Sequence, residues 1–308
     1  MKNIKLILIL IFLFFSHLNL SAKINIKYKI GDEIITNIDI LNEKKYLVFL
    51  RPNLKSLSNT EVIEIAEKSL IKEIIKKKEI DRIFKENNNP NIDKEIKKKL
   101  FDFKNTKNEN EFIKLTKKNK IDYNKIIEKV KYESLWNELI FQKYNSLIRI
   151  DEKRLKEDLV EKISNNQKFE YNLSEILFEI EDKQNLKKKY NEIIEFIEKN
   201  NFKTAASKYS ISNSSNKGGK IGWVKETLLS KELTLLLEKM KKNQVSEPLK
   251  FPNGYLILTI NEKKEMKQNI TFEKEYEELI MFEKNKQLNQ FSLLFYKKLK
   301  QNTQIYEY

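Results

Sequence analysis

The fold of the central part of this chain is decided by two short stretches, FKTAASKYS at residues 202–210 and GGKIGW at residues 218–223. The first lacks glycine and proline and predicts a helix over about residues 202–209, whereas the second predicts a strand over about residues 220–224. The paired glycines indicate a close turn before the strand, because glycine adopts positive φ or admits another backbone at little cost. The two stretches therefore predict a unit that mixes helices and strands.

The same mixture of helix and strand patterns extends on both sides of these stretches, over about residues 169–262. This segment holds four of the five glycines and two of the four prolines of the chain. The pair Asn253-Gly254 is typical of a hairpin turn. Hydrophobic periodicity predicts strands over about 171–180, 220–224, 245–249 and 254–261, and helices over about 184–200, 202–209 and 229–241.

The flanking segments are predicted to be helical, after one N-terminal hairpin. Residues 24–35 alternate apolar and polar side chains around Gly31-Asp32-Glu33, which predicts two short strands. The helical pattern returns after residue 267, and the tail at residues 303–308 has room for one further strand. Residues with N-cap character begin helices at five places before residue 163: Thr36, Ser58, Asn108, Asp122 and Asp151.

These patterns together predict an α+β protein. Residues 23–163 are expected to form a helical N-terminal domain, and residues 169–262 a small α/β module inserted after it. Residues 263–308 are expected to form a C-terminal helix that packs back on the N-terminal domain.

The composition excludes several classes of chemistry. The chain has no cysteine, which excludes disulfides, a thiol nucleophile and thiolate metal sites. The single histidine, His17, lies in an N-terminal apolar run that we expect to be removed, so the mature chain is expected to have no imidazole for catalysis or metal binding. We therefore expect no metal and no cofactor.

The net charge of +15 raises the question of nucleic acid, but its distribution does not fit such a partner. Lysines are spread along nearly every segment and mixed with glutamates, with no basic stripe that has aromatic residues between its charges. A biased coding composition explains the same excess, and we expect no nucleic-acid partner.

Residues 1–22 have the pattern of an export signal. Lys2 and Lys5 precede an apolar run at residues 6–15, and Leu20-Ser21-Ala22 ends the segment. The apolar run is about ten residues long, half of the roughly 20 that cross a bilayer. We predict cleavage after Ala22 and no stable membrane anchor; the alternative is an uncleaved signal that holds the chain at the membrane.

The central module resembles the parvulin-type peptidyl-prolyl isomerases. The similarity runs in order from residues 202–210 and 218–223, through Leu229 and Leu233, to residues 243–248 and 253–258. Outside the module, residues 34–39 (IITNID) resemble the opening of SurA-type periplasmic chaperones, and the helical segments fit that family too. The resemblance implies a periplasmic chaperone whose clients are unfolded outer-membrane β-barrel precursors. The outer-membrane assembly machinery is a second candidate partner.

The module departs from the parvulin pattern where activity is expected. The resemblance implies that active parvulins use two histidines to organise hydrogen bonds that suit the twisted amide, whose rotation barrier is about 18–20 kcal/mol. Those positions hold Glu175 and Leu256 here. The resemblance therefore implies a weak or inactive isomerase; the alternatives are an active isomerase, and a Glu175 that is only a solvated strand residue. The groove equivalents are Glu175, Ile211, Ser212, Leu229, Leu233, Ser246 and Leu256.

A chaperone must expose apolar surface to its clients. Two aromatic-rich helices, over about residues 122–147 and 272–296, are candidates to line such a surface. Ordinary core packing is the alternative for each of their aromatic residues. The candidate client-binding residues are Trp136, Phe141, Tyr144, Phe282 and Phe291.

Overall fold

The computed structural model describes residues 23–84, 90–164, 169–180, 182–266 and 271–308. The predicted signal peptide, with His17, lies outside the described residues. The order of strands and helices confirms an α+β protein in which helices dominate and the sheets are small.

A three-stranded antiparallel sheet joins the two ends of the described chain. It has the order β2-β1-β7, with β1 at Ile26–Ile30, β2 at Glu33–Thr36 and β7 at Ile305–Glu307. The predicted hairpin and the predicted tail strand are both confirmed. Helix α1 (Asn37–Leu50) follows β2 directly, because Thr36 and Asp39 form a capping box that satisfies the backbone N–H groups at its start.

Three of the helices that follow begin at predicted caps. The side chains of Ser58 and Asn108 each accept a backbone N–H three residues on, and Asp122 caps the longer helix after them. The helices are α2 (Asn59–Ile83), α3 (Pro90–Lys104), α4 (Glu109–Lys118), α5 (Tyr123–Tyr144) and α6 (Glu152–Ser164). A short 3₁₀ helix, Pro52–Ser56, lies between α1 and α2.

The long C-terminal helix α10 (Phe272–Gln301) packs against these helices. The indole Nε1 of Trp136 in α5 donates to Ser292 Oγ of α10 at 2.9 Å, and the Trp136 ring stacks on Phe295 with 5.5 Å between the ring centroids. The pairing of β7 with β1 and this buried contact both link residues 271–308 to the N-terminal part of the chain.

The central module contains a four-stranded antiparallel sheet of order β4-β3-β6-β5. One face is covered by two helices through buried residues such as Ile176, Ile193 and Ile257. The strands are β3 (Phe169–Phe178), β4 (Lys220–Lys225), β5 (Leu249–Phe251) and β6 (Gly254–Glu265). The helices are α7 (Leu186–Lys199), α8 (Phe202–Tyr209) and α9 (Lys231–Lys239), with 3₁₀ segments at Asn213–Lys217 and Glu226–Leu228.

The predicted strand at residues 245–249 is wrong in its bounds. Val245 makes only an isolated bridge to Thr259, and the strand itself starts at Leu249. Ser246 interrupts the ladder because its side-chain Oγ, at 2.9 Å, accepts the N–H of Leu258. Pro248, which has no N–H to donate, prevents the ladder from continuing.

Candidate functional site

The second face of the module's sheet carries residues that the sequence predicts as equivalents of a proline groove. Ile211, Leu229, Leu233 and Leu256 all belong to or pack on one apolar cluster on this face. Leu229 is 4% exposed and Leu256 is 5% exposed, so their side chains are part of the module's core. Ser246 is also buried, held by the contact with Leu258 described above.

Glu175 is the polar member of this face. It lies between Leu173 and Leu177 on β3, whose side chains belong to the cluster, and it pairs across the sheet with Leu258. Its carboxylate Oε1 accepts a hydrogen bond from Ser212 Oγ at 2.6 Å. Glu175 is therefore half-buried and fixed by a hydroxyl, in a largely apolar setting.

A chain of serines holds this carboxylate in place. Ser214 Oγ donates to Ser212 Oγ at 3.2 Å, and Ser212 donates in turn to Glu175. The preceding Ser210 Oγ accepts the backbone N–H of Leu177 at 3.1 Å, which ties the loop after α8 to β3. The loop thus brings Ser212 beside Glu175, although 37 residues separate the two in sequence.

Gly219 allows the backbone to pass close to this point. It has φ of +80°, and its carbonyl oxygen accepts the N–H of Glu175 at 2.8 Å. A Cβ at this position would lie well inside van der Waals contact with the Glu175 carbonyl oxygen, and 2.8 Å from Ala206 Cβ. Only glycine fits here, because both the positive φ and the close approach exclude a side chain.

The chemistry of the site differs from what twisting an amide requires. An ionised carboxylate accepts hydrogen bonds but cannot donate one to an amide oxygen. Leu256, at the second position, has no polar atom in its side chain. The described residues contain no group of three or more His, Cys, Asp or Glu side chains that are placed to hold a metal ion.

The five aromatic residues predicted to bind clients have different surroundings. Trp136 is fully buried, so in this conformation it presents no surface to a client, and core packing describes it. Tyr144 and Phe291 stack on each other with centroids 4.8 Å apart, and Phe282 packs against the module's apolar cluster. Phe141 is 48% exposed and remains available on the surface of α5.

Sequence reasoning missed the contacts that attach the module to the helices. Glu275, in the first turn of α10, is 3% exposed and accepts from Thr227 Oγ1 at 2.7 Å and from Lys225 Nζ at 2.6 Å. Lys162 of α6 donates to the carbonyl oxygens of Thr227 and Leu229. Burial lowers the pKa of the Lys162 ammonium, whose neighbouring carboxylates oppose the effect only in part. A glutamate in a first helical turn signals only a favourable helix dipole, so nothing local indicated this role.

A further ion pair attaches the other side of the module. Lys208 Nζ of α8 lies 2.7 Å from Glu61 Oε1 at the start of α2, and both side chains are largely covered. The hydrogen bond from Lys208 is the largest cause that lowers the pKa of the Glu61 carboxyl. The module therefore contacts the helical part through α2 as well as through α6 and α10.

Part of the chain matches a known protein family. Residues 173–262 match the family model of the rotamase, PPIC-type PPIase domain. The chain is 25% identical over 151 residues to the chaperone SurA of Pseudomonas putida, a match that covers 46% of this chain and 35% of SurA. The chain thus spans about a third of the length of that curated relative.

Solved structures that match this chain include two that are covered over nearly their whole length. One comes from work on PEB4 and the periplasmic protein Cj1289 of Campylobacter jejuni, described as SurA-like chaperones; it is 17% identical, with coverage of 92% of this chain and 98% of that one and a TM-score of 0.39. The other is the peptidylprolyl isomerase PrsA of Bacillus anthracis, 19% identical, with 76% and 96% coverage and a TM-score of 0.30.

The sheet, the helices on one face and the matched segment define a parvulin-type domain of the PPIC class. The chain that carries this domain is similar to SurA-type chaperones, and the resemblance predicted from the sequence is confirmed. No helix in the described parts of the chain is both long and apolar enough to cross a bilayer.

Proposed function

We propose that this protein is a periplasmic chaperone that binds unfolded outer-membrane β-barrel precursors, and that its parvulin module has weak or no isomerase activity. The observation that carries the proposal is the parvulin-type sheet at residues 173–262 with Glu175 and a buried Leu256 at the two histidine positions. A module kept without its imidazoles is better suited to holding polypeptide than to rotating its proline bonds. Residues 1–22 would direct export, and the assembly machinery of the outer membrane is a second proposed partner.

The domain division that goes with this function is also a proposal. Residues 23–163 with residues 263–308 would form the client-binding body, and residues 169–262 the attached module. The Trp136–Ser292 hydrogen bond and the β1–β7 pairing support the return of the C-terminal segment to the body. The Glu275 contacts support a module that is held rather than free.

Exposed apolar side chains on the three-stranded sheet support the binding of unfolded chains. Ile34 is 48% exposed and Tyr306 is 51% exposed, and both lie opposite Lys29 in the strand register, on one face of the sheet. β-barrel precursors expose alternating apolar segments, which the exposed apolar side chains of this face can cover while the segments remain unpaired. We expect this face to contribute to client binding together with Phe141.

The chaperone is tested by light scattering from a diluted, unfolded barrel precursor, with residues 23–308 added at increasing ratio. We expect suppression near equimolar ratio, and about tenfold weaker suppression by the Ile34→Thr, Tyr306→Thr double variant, since about 1.4 kcal/mol of lost apolar contact is a factor of ten. Val160→Thr on α6, where the native side chain is 52% exposed, is the matched control and should act as the native protein does. Equal suppression by all three proteins would remove this face from the binding surface, and no suppression by the native chain would overturn the function.

The second candidate function is an active isomerase, favoured by the domain match and by the ordered Glu175–Ser212 pair. A coupled proline-peptide assay separates it from the first. We expect the protein to accelerate proline isomerisation by no more than about twofold. Glu175→Gln should not change this rate, because the carboxylate cannot donate a hydrogen bond to the amide oxygen. Rapid turnover that falls in Glu175→Gln but not in Glu170→Gln, a variant on the same strand, would establish the enzyme instead.

A further inference from the structure

The helical part of the molecule contains a cavity of about 150 Å³, and none of the parvulin-groove residues lines it. It lies between α1, α2 and α5, and Asn216 of the module reaches its edge. Its walls are apolar in part, from Leu47, Leu50 and Val130, with the rings of Tyr46 and Tyr132 beside them. A cavity of this volume admits a molecule of about the size of benzene.

Two of the cationic side chains that line the cavity are paired. Lys76 Nζ lies 2.8 Å from Glu133 Oε2. Lys129 Nζ lies 2.8 Å from Glu43 Oε2 and forms a second ion pair with Glu73. These two lysines therefore already use the three carboxylates near the cavity.

The other two cations have no such partner. Arg51 is 7% exposed, and its guanidinium makes no hydrogen bond or ion pair with any residue that the structure describes. Lys72 likewise has no ion pair within the described residues; its ammonium lies 5.6 Å from the centroid of the Tyr296 ring. The charge of Glu43 acts on Arg51 only at a distance. A buried cation without a hydrogen-bonded counterion is costly, which makes this pair of charges unusual.

The protonation of the two groups reflects that cost. Burial, together with the charges of Lys76 and Arg51 and against the opposing charge of Glu133, lowers the pKa of Lys72 to about 8. Burial also lowers the pKa of the Arg51 guanidinium. Four cations face three carboxylates around the cavity, which leaves one positive charge to be neutralised.

We propose that this cavity binds a monocarboxylate carried on a small apolar group, with Arg51 and Lys72 as the binding cations. A planar guanidinium matches the two oxygens of a carboxylate, and the apolar walls suit the group that bears it. A single negative charge neutralises the excess, whereas a phosphate dianion would be opposed by Glu73 and Glu133 at the same site. The carboxylate can come from a free organic acid or from the C-terminus of a polypeptide.

The test is calorimetric titration of residues 23–308 with 3-phenylpropanoate, with 3-phenylpropanamide and inorganic phosphate as comparisons. We expect saturable binding of the carboxylate only. Peptides that end in phenylalanine, with a free or an amidated C-terminus, identify the source: selective binding of the free form indicates a polypeptide end, and binding of the small acid alone indicates a free acid. Equal binding of the acid and its amide, or binding of neither acid nor free peptide, would overturn the proposal.

Variants locate the site. Lys72→Gln and Arg51→Gln should each weaken carboxylate binding at least about tenfold, in line with a charged hydrogen bond. Lys68→Gln, one turn earlier on α2 and exposed, is the matched control and should change binding less than about twofold. If Arg51→Gln fails to fold, Lys72→Gln decides alone, because it removes a poorly solvated charge and should keep the native circular dichroism. Undiminished binding by a folded Lys72→Gln protein would refute the site.

The pH dependence gives an independent readout. Free Lys72 loses its proton above about pH 8, and the groups that face it are Arg51, Lys76, Glu133 and the Tyr296 ring. Affinity should therefore be constant below that pH and fall by up to about tenfold per unit above it. The Lys72→Gln protein should show no such decline.

Discussion

Replacing Glu275 by alanine should loosen the attachment of the parvulin module to α10. The carboxylate accepts from Thr227 Oγ1 at 2.7 Å and from Lys225 Nζ at 2.6 Å, and it is 3% exposed. A hydrogen bond to a charged group contributes about 1.5–3 kcal/mol, and an orphaned buried hydroxyl at Thr227 adds about 1 kcal/mol. Lys225 keeps Glu278 as a partner at 2.6 Å, which limits its loss. We therefore expect the free energy of unfolding to fall by about 3 kcal/mol.

The assay is urea denaturation followed by tryptophan fluorescence, because Trp223 lies in the module and Trp136 in the helical part. Glu278→Ala is the matched control, because the Glu278 side chain is 36% exposed and pairs with the same lysine. We expect this variant to lower the free energy of unfolding by about 0.5 kcal/mol or less. Hydrogen exchange of residues 226–228 should become faster in Glu275→Ala alone.

A double-mutant cycle measures the coupling itself. With Thr227→Val present, the hydroxyl that needs an acceptor is gone, so Glu275→Ala should cost about 1–2 kcal/mol less than it does alone. Equal losses in Glu275→Ala and Glu278→Ala, or additivity in the cycle, would refute the reasoning that a buried carboxylate holds the module.

Three further outcomes follow from particular contacts. Trp136→Phe should lower the free energy of unfolding by about 1–3 kcal/mol, because buried Ser292 loses its hydrogen-bond donor. Aggregation suppression should not change in this variant; a loss of suppression would show that Trp136 contacts the client. Gly219→Ala should lower the free energy of unfolding by more than about 3 kcal/mol, and Gly222→Ala by about 1–2 kcal/mol. Both glycines have positive φ, but a Cβ would meet other atoms within 4 Å only at Gly219; equal urea midpoints of the two variants would contradict this. The pKa of Lys72 is lowered from 10.5 to about 8 in the folded protein. Between pH 8 and pH 10.5 the unfolded chain therefore binds more protons at this residue than the folded chain does. The stability of the native protein relative to Lys72→Met should therefore rise from pH 8 to 10.5, by up to about 3 kcal/mol, and a flat difference in urea denaturation would refute the shift.

The elements that the sequence predicts well are those set by local chemistry. Ser58 and Thr36 cap their helices through residues three positions on, and the Gly31 turn fixes the first hairpin. Such signals involve neighbours in the chain, which a sequence displays directly. The bounds of the strand at residues 245–249 were wrong because the side chain of Ser246 replaced a backbone acceptor, and no periodicity shows that exchange.

The candidate site could be predicted only in part, for the same reason. Glu175 and Ser212 were found as separate positions, but their hydrogen bond depends on how the loop after α8 meets β3. The burial of Trp136 depends on Ser292 and Phe295, which are more than 150 residues away. The unpaired state of Lys72 is equally invisible, since a chain with 60 basic residues offers no sign of which ones find partners.

The central strand of the three-stranded sheet has one neighbour from residues 33–36 and another from residues 305–307. Closing that second edge joins segments about 275 residues apart, an ordering step that long loops make slow. During synthesis or passage through a narrow pore, the sheet therefore stays one strand short until its distant partner emerges. The four-stranded sheet at residues 169–265 does not depend on the C-terminal strand, so it can form completely before the N-terminal sheet gains its third strand.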